Sequence, residues 1–253
     1  MRVRIGLFIT CLTDAYYPRA GIAIVKVLEH LGHTIEFPEA QTCCGQPMFN
    51  NGFRPEAREL ARRMIDIFEP YEAVVTPSGS CAAMIREHYA GLFESDSAQR
   101  ARAGSLASRT YEFGEFLSRV LRVDLKALGV RWEGTVTAHS ACHLRGLGLT
   151  GLGETIAAEI SGLRVVPLEK AEQCCGFGGT FAVKYPDISG AMVADKVAAI
   201  RAAGAGTVMC NEAGCGMNIE GACRRAGVPT RFISLAEIIA EGLGLLDRQG
   251  NPE

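Results

Sequence analysis

The stretch Gln41-Thr42-Cys43-Cys44-Gly45-Gln46 returns 131 residues later as Glu172-Gln173-Cys174-Cys175-Gly176-Phe177. Working outward, 31 residues separate Cys11 from Cys43, and 31 separate Cys142 from Cys174. On the far side, 36 residues lie between Cys44 and Cys81, and 39 between Cys175 and Cys215. The flanks agree: Ser78-Gly79-Ser80-Cys81-Ala82-Ala83-Met84-Ile85 matches Glu212-Ala213-Gly214-Cys215-Gly216-Met217-Asn218-Ile219, and the segment at Tyr111 matches that at Phe232. Such a repeat is an internal duplication, with expected halves at 1–125 and 130–246.

Between the cysteines, apolar runs alternate with breakers. The first half predicts a strand over 4–10, a helix over 20–31 and a strand over 34–37 whose exit carries Cys43-Cys44. An amphipathic helix over 55–68, a strand over 73–76 and a helix from Cys81 follow. The second half predicts strands at 135–138, 164–166 and 207–209, with helices at 153–161, 188–203 and 217–226. Residues 94–102 read as a polar helix end or connector, and 122–132 as the join between halves. This alternation predicts an α/β protein of two pseudo-symmetric Rossmann-like halves with mostly parallel sheets. In such sheets ligands gather at the carboxyl ends of the strands, which is where the cysteines fall.

Composition narrows the function classes. Of 253 residues, 48% are hydrophobic and 21% charged, so the chain folds rather than staying disordered. A net charge of -2 offers no electrostatic footprint for nucleic acid or an anionic membrane. No stretch approaches the roughly 18 apolar residues of a transmembrane span. The apolar run near the start is broken by Asp14 and has no cleavage site after it, so no export signal is expected. Ten cysteines in such a chain then point to the reducing cytoplasm, where clustered thiols serve as metal ligands or redox groups.

Thiolates select zinc, copper(I) or iron–sulfur clusters. The C-x2-4-C knuckles typical of structural zinc are missing, and ligands spread over several loops suit a larger object. The predicted metal ligands are Cys11, Cys43, Cys44 and Cys81 in one set, and Cys142, Cys174, Cys175 and Cys215 in the other. One [4Fe-4S] cluster per repeat is the expected cofactor, with zinc as the alternative. Gly45, Gly176, Gly178 and Gly179 let backbone approach a cofactor closely. His143, beside Cys142, and His139 are candidates to donate to a cluster sulfur or to relay a proton; the first half has Leu12 opposite His143. Cys210 and Cys223 have no counterparts and read as core thiols. Arg145 is a candidate carboxylate contact, although a lone loop arginine is more often solvated. No complete G-x-G-x-x-G follows the first strand, so a flavin or NAD site is unsupported.

The motif Cys-x31-Cys-Cys-Gly-x35-Cys, repeated with a slightly longer last gap, resembles the cysteine-rich CCG domain of the heterodisulfide reductase class. Within that class, Cys43-Cys44-Gly45-Gln46-Pro47 with Phe49-Asn50, and Cys174-Cys175-Gly176-Phe177-Gly178-Gly179-Thr180-Phe181, resemble the lactate-utilisation family of two-CCG subunits. The resemblance implies iron–sulfur electron transfer in a multisubunit oxidoreductase that turns L-lactate into pyruvate. It also implies companion ferredoxin-type iron–sulfur subunits, with this chain a non-catalytic or co-catalytic member. The class often ends its motif in Cys-x-x-Cys, whereas this chain has Ser78 and Glu212 at the first of those positions. Four-ligand sets argue against the five-thiolate noncubane cluster of the heterodisulfide reductases. Two rival functions stay open at this point. One is a zinc-stabilised interaction protein with no redox role; the other is a self-sufficient thiol or disulfide reductase using Cys210.

Overall fold

A computed structural model describes residues 3–248. The first two residues of the expected first half, and residues 249–253, lie outside the described residues. Strands β1 (Arg4–Leu7), β2 (Thr34–Glu36), β3 (Ala73–Thr76) and β4 (Thr110–Glu112) form one parallel sheet in the order β2-β1-β3-β4. Strands β5 (Arg131–Ala138), β6 (Ser161–Val166), β7 (Thr207–Met209) and β8 (Arg231–Ile233) form a second parallel sheet in the matching order β6-β5-β7-β8. In each sheet the order reverses beside the first strand, which opens a crevice between the first and third strands at their carboxyl ends.

Side-chain alternation along the strands decides how the sheets stack. Ile5 and Leu7 of β1, and Ala73 and Val75 of β3, face a middle core, while Phe8 and Val74 face an outer one. Val136, Ala138 and Met209 face the same middle core from the second sheet, and Val208 points away from it. The middle layer is built from helices Pro18–His30, Leu152–Ala157 and Leu235–Gly242 with the helical turns of residues 113–121. Helices therefore cover both faces of both sheets, and one helical layer is shared. Across that layer Glu241, its side chain 1% exposed, accepts from Arg19 at 2.7 Å, Arg231 at 2.5 Å and the Trp132 indole at 2.7 Å. A buried carboxylate with three donors is satisfied rather than stranded, so both ends of the chain are held to one core.

Two expectations need correction. The first strand ends at Leu7 instead of residue 10, because Thr10 caps the short helix Cys11–Tyr16 by accepting from the Thr13 N–H. Trp132, expected in the join, lies in β5. Residues 94–102 lead into and form the solvent-facing start of helix Ser97–Ser108, capped by Asp96, in line with the polar helix end expected; the helix buries only Ala103 and Leu106. Each sheet also has a fourth strand that the sequence pattern does not reveal: β4 and β8 are three residues each, too short to show a period of two.

Candidate metal centre

Each predicted ligand sits just past a strand, on a turn or the start of a helix. Cys11 opens helix Cys11–Tyr16 after β1, and Cys142 opens the 3-10 turn Cys142–Leu144 after β5. Cys81 and Cys215 are each the third residue of the helix after the third strand, Gly79–Ala83 and Ala213–Arg225. The paired cysteines occupy the loops leaving β2 and β6. All eight line one cavity of about 140 Å3. The repeat implied two sets; the fold turns both onto the same space. Cys44, Cys81, Cys175 and Cys215 are buried, Cys43, Cys142 and Cys174 are half-buried, and Cys11 is exposed.

Within each set the thiols form a hydrogen-bonded string. Cys44 Sγ and Cys81 Sγ lie 3.3 Å apart, and Cys43 also meets Cys11 and Cys44. Cys174 likewise meets Cys142 and Cys175, and Cys175 meets Cys215. The Gly45 N–H points at Cys43 Sγ at 3.5 Å, and the Gly176 N–H at Cys174 Sγ at 3.4 Å. These donors, led by the Cys11 thiol, hold Cys43 down at about 3 against its burial. Led by Cys142, the matching donors hold Cys174 at about 2. Their donating neighbours Cys11, Cys44, Cys142 and Cys175 are pushed up. In each string the donors thus favour the thiolate form at the first cysteine of the pair. A metal group would displace the remaining protons, which makes binding pH-dependent.

The glycine after each pair is required by geometry. Gly45 has φ +86° and Gly176 φ +83°, left-handed values that cost an L-residue about 1–2 kcal/mol. That conformation turns the glycine N–H back toward the sulfur two residues earlier. Gly178 and Gly179 also have positive φ and line the cavity.

The two positions that depart from the class motif meet each other. The Glu212 carboxylate accepts from the Ser78 and Ser80 hydroxyls at 3.0 Å and from the Ser80 N–H at 2.9 Å, all buried. Burial raises the Glu212 pKa and these donors oppose it. Glu212 therefore pins the Cys215 loop to the Cys81 helix, a role that its sequence context did not reveal. Gln46 adds a second cross-link, with Nε2 3.2 Å from His143 Nε2 and 3.3 Å from the Ser80 carbonyl. His143 Nδ1 lies 3.7 Å from Cys142 Sγ, so the predicted residue stands at the site.

His139 lies deeper. It is buried with neither ring nitrogen in a well-formed hydrogen bond, and burial, aided by the Lys196 ammonium, lowers its pKa to about 4. Its ligating atom and the sulfurs of Cys175 and Cys215 lie within 4.8 Å of one another. Cys210 is not among the cavity-lining residues; its Sγ faces the Glu212 carbonyl at 3.4 Å, and burial pushes it up to about 12. Cys223 is fully buried in the outer core of the second half. The Arg145 side chain is 66% exposed and pairs with Glu172 at 3.7 Å, as a solvated loop arginine does.

Residues 5–86 and 136–220 each match the cysteine-rich domain family, CCG. The chain is 45% identical to the lactate utilization protein A of Anoxybacillus flavithermus across 94% of this chain and 99% of that protein. It is 44% identical to that of Macrococcus caseolyticus across 94% and 96%. In fold it is similar to a hypothetical protein from Helicobacter pylori, with a TM-score of 0.69 at 10% identity, covering 98% of this chain and 50% of that one. The chain therefore belongs to the CCG cysteine-rich domain family and, within it, to the lactate utilization protein A family.

Proposed function

We propose that this chain is the iron–sulfur electron-transfer subunit of a system oxidising L-lactate to pyruvate, with one four-iron cluster in each half. Cys11, Cys43, Cys44 and Cys81 hold the first cluster; Cys142, Cys174, Cys175 and Cys215 hold the second. The repeats run over 1–125 and 130–246. One observation carries the reading: two equivalent all-thiol sets open on a single cavity. A tetrahedral zinc ion with four thiolates at about 2.3 Å needs sulfurs about 3.8 Å apart. Among the described residues, neither set of four gathers its sulfurs within 4.8 Å of one another, so neither is closed around a single tetrahedral ion.

A cluster bound there supplies one-electron storage at a potential set by charge, hydrogen bonding and burial. The protein's own part is to present deprotonated sulfurs and to aim the Gly45 and Gly176 N–H groups at Cys43 and Cys174. The Glu212–Ser78 pin holds the two sets at fixed separation, and His143 donates toward the second set. Companion ferredoxin-type iron–sulfur subunits would exchange electrons with it in the cytoplasm. No helix among the described residues is long and apolar enough to cross a membrane.

Anaerobically purified protein should be brown, bleach with dithionite and contain iron with acid-labile sulfide. Cys44→Ser and Cys175→Ser should each remove about half of the iron. A colourless zinc-loaded protein, or unchanged iron in both variants, overturns the reading. The colourless result would favour a second reading, which rests on His139 standing with Cys175 and Cys215 as a three-ligand zinc site. Phe8 occupies the matching place in the first half, so that zinc site would be single.

A further inference from the structure

Helix Pro186–Ala203 turns Val193, Val197 and Ile200 into the outer core of the second half. Lys196 lies on the same face and is 1% exposed. The equivalent helix, Arg54–Phe68, carries Ile65 at the matching position, also 1% exposed. An ammonium buried among apolar side chains is costly unless hydrogen-bonded and paired. Lys196 Nζ donates to the carbonyls of Lys170 at 2.5 Å and Ala171 at 3.2 Å, in the loop that leads into Cys174-Cys175. Among the described residues no carboxylate forms an ion pair with it. Burial lowers its pKa, and the groups that oppose this are Cys175, Cys215, Cys174 and Cys210. Three of those four are predicted ligands of the second set. The buried cation is thus anchored to the loop that leads into Cys174-Cys175, on a helix face packed in the same core as Cys175 and Cys215, and the first half has an isoleucine in its place.

We propose that Lys196 is a fixed positive charge that holds the second thiolate set at a higher reduction potential than the first. The inference rests on the iron–sulfur reading above. A reduced cluster carries one more negative charge than its oxidised form, so a nearby cation favours reduction. An electron delivered to the first centre then moves to the second. The first is oxidised by one electron as the second is reduced by one, with no further reactant. Because half of this pair is missing from the first repeat, the duplication becomes a directional relay instead of two equivalent stores.

The test is an EPR-monitored redox titration of anaerobically reconstituted full-length protein. Cys44→Ser isolates the second centre and Cys175→Ser the first; the second should titrate at the higher potential. An equal or reversed order overturns the proposal without needing a variant at Lys196. In the Cys44→Ser background, Lys196→Gln keeps N–H donors for the two loop carbonyls but removes the charge. It should weaken reduction of the second centre at least tenfold, about 59 mV for a one-electron couple, with iron content unchanged. Lys196→Arg should restore the potential. An unshifted potential in Lys196→Gln, or loss of iron in its place, makes Lys196 a loop staple and refutes the tuning role. Absence of iron from the wild-type protein would refute the iron–sulfur reading itself.

Discussion

Gly45→Ala and Gly176→Ala are the same change at matched positions of the two repeats, yet they should differ in cost. Both residues have left-handed backbone, φ +86° and +83°, so each alanine loses about 1–2 kcal/mol for that conformation. The surroundings separate them. A Cβ on Gly176 would fall 2.7 Å from the Ser189 carbonyl oxygen and 3.1 Å from Met192 Cβ. Ser189 belongs to helix Pro186–Ala203, and a helix carbonyl cannot rotate away as a side-chain tip can. Forcing that contact adds roughly 1–3 kcal/mol of overpacking. A Cβ on Gly45 would meet the Ala57 oxygen and Leu60 Cβ at 3.4 Å, close to ordinary contact. The expected losses are about 1–2 kcal/mol for Gly45→Ala and about 2–5 kcal/mol for Gly176→Ala. Urea unfolding of the reduced apoprotein, followed by circular dichroism, measures both. The shared middle core should give one cooperative transition, so shifts in midpoint at constant slope report stability. Equal losses, or a larger loss for Gly45→Ala, would refute the assignment of the Ser189 carbonyl as the rigid wall of the second CCG loop.

Two other outcomes follow from buried carboxylates. Burial raises Glu112, 4% exposed, from 4.5 to about 7, so folding favours its protonated form. Its destabilising effect is absent below about pH 4.5 and grows as pH rises through 7, reaching about 3 kcal/mol. Glu112→Gln should accordingly gain stability relative to wild type as pH rises from 4.5 to 8; a pH-independent difference between the two thermal unfolding curves would sink this. Glu212→Ala leaves two hydroxyls and the Ser80 N–H without their acceptor, at about 2–4 kcal/mol in all. Ser78→Ala loses its bond to Glu212 and its cap on the Cys81 N–H, yet should cost less, about 1–2 kcal/mol, because Ser80 still donates twice to Glu212. Calorimetry giving the reverse order would show that the pin between the two cysteine sets is held some other way.

Much of the site is legible along the chain alone. The repeat, offset by 131 residues at the first three cysteines of each set and by 134 at the last, identifies all eight cysteines that line the cavity, because a duplication repeats equivalent residues in the same order along the chain. It also places Gly45 and Gly176, whose need for left-handed backbone comes from the loop itself. Lys196 carries a signal too. It interrupts the apolar face of Val193, Val197 and Ile200, and Ile65 stands opposite it when the repeats are aligned. Glu212, Gln46 and the depth of His139 carry none. Their partners Ser78, Ser80 and Cys215 come from the other repeat or from another strand, and residue type alone does not say which loops will meet. The short strands β4 and β8 escape for a different reason, since three residues cannot establish a period.

By itself, the sequence determined the repeat, the α/β alternation and the identity of the thiol sets. These depend on local periodicity and on spacing along one chain. Only the tertiary structure decided that the two sets face one cavity, that Ser78 and Glu212 close on each other, and that a buried ammonium is tied to the loop leading into one cysteine pair while the other half buries Ile65 at the matching place. Those outcomes depend on how the helices of both halves fill the layer between the sheets, with helix Pro18–His30 packed against helix Leu235–Gly242 from the far end of the chain. Burial of a shared apolar layer sets the angle between the halves, and no pattern confined to one half specifies it.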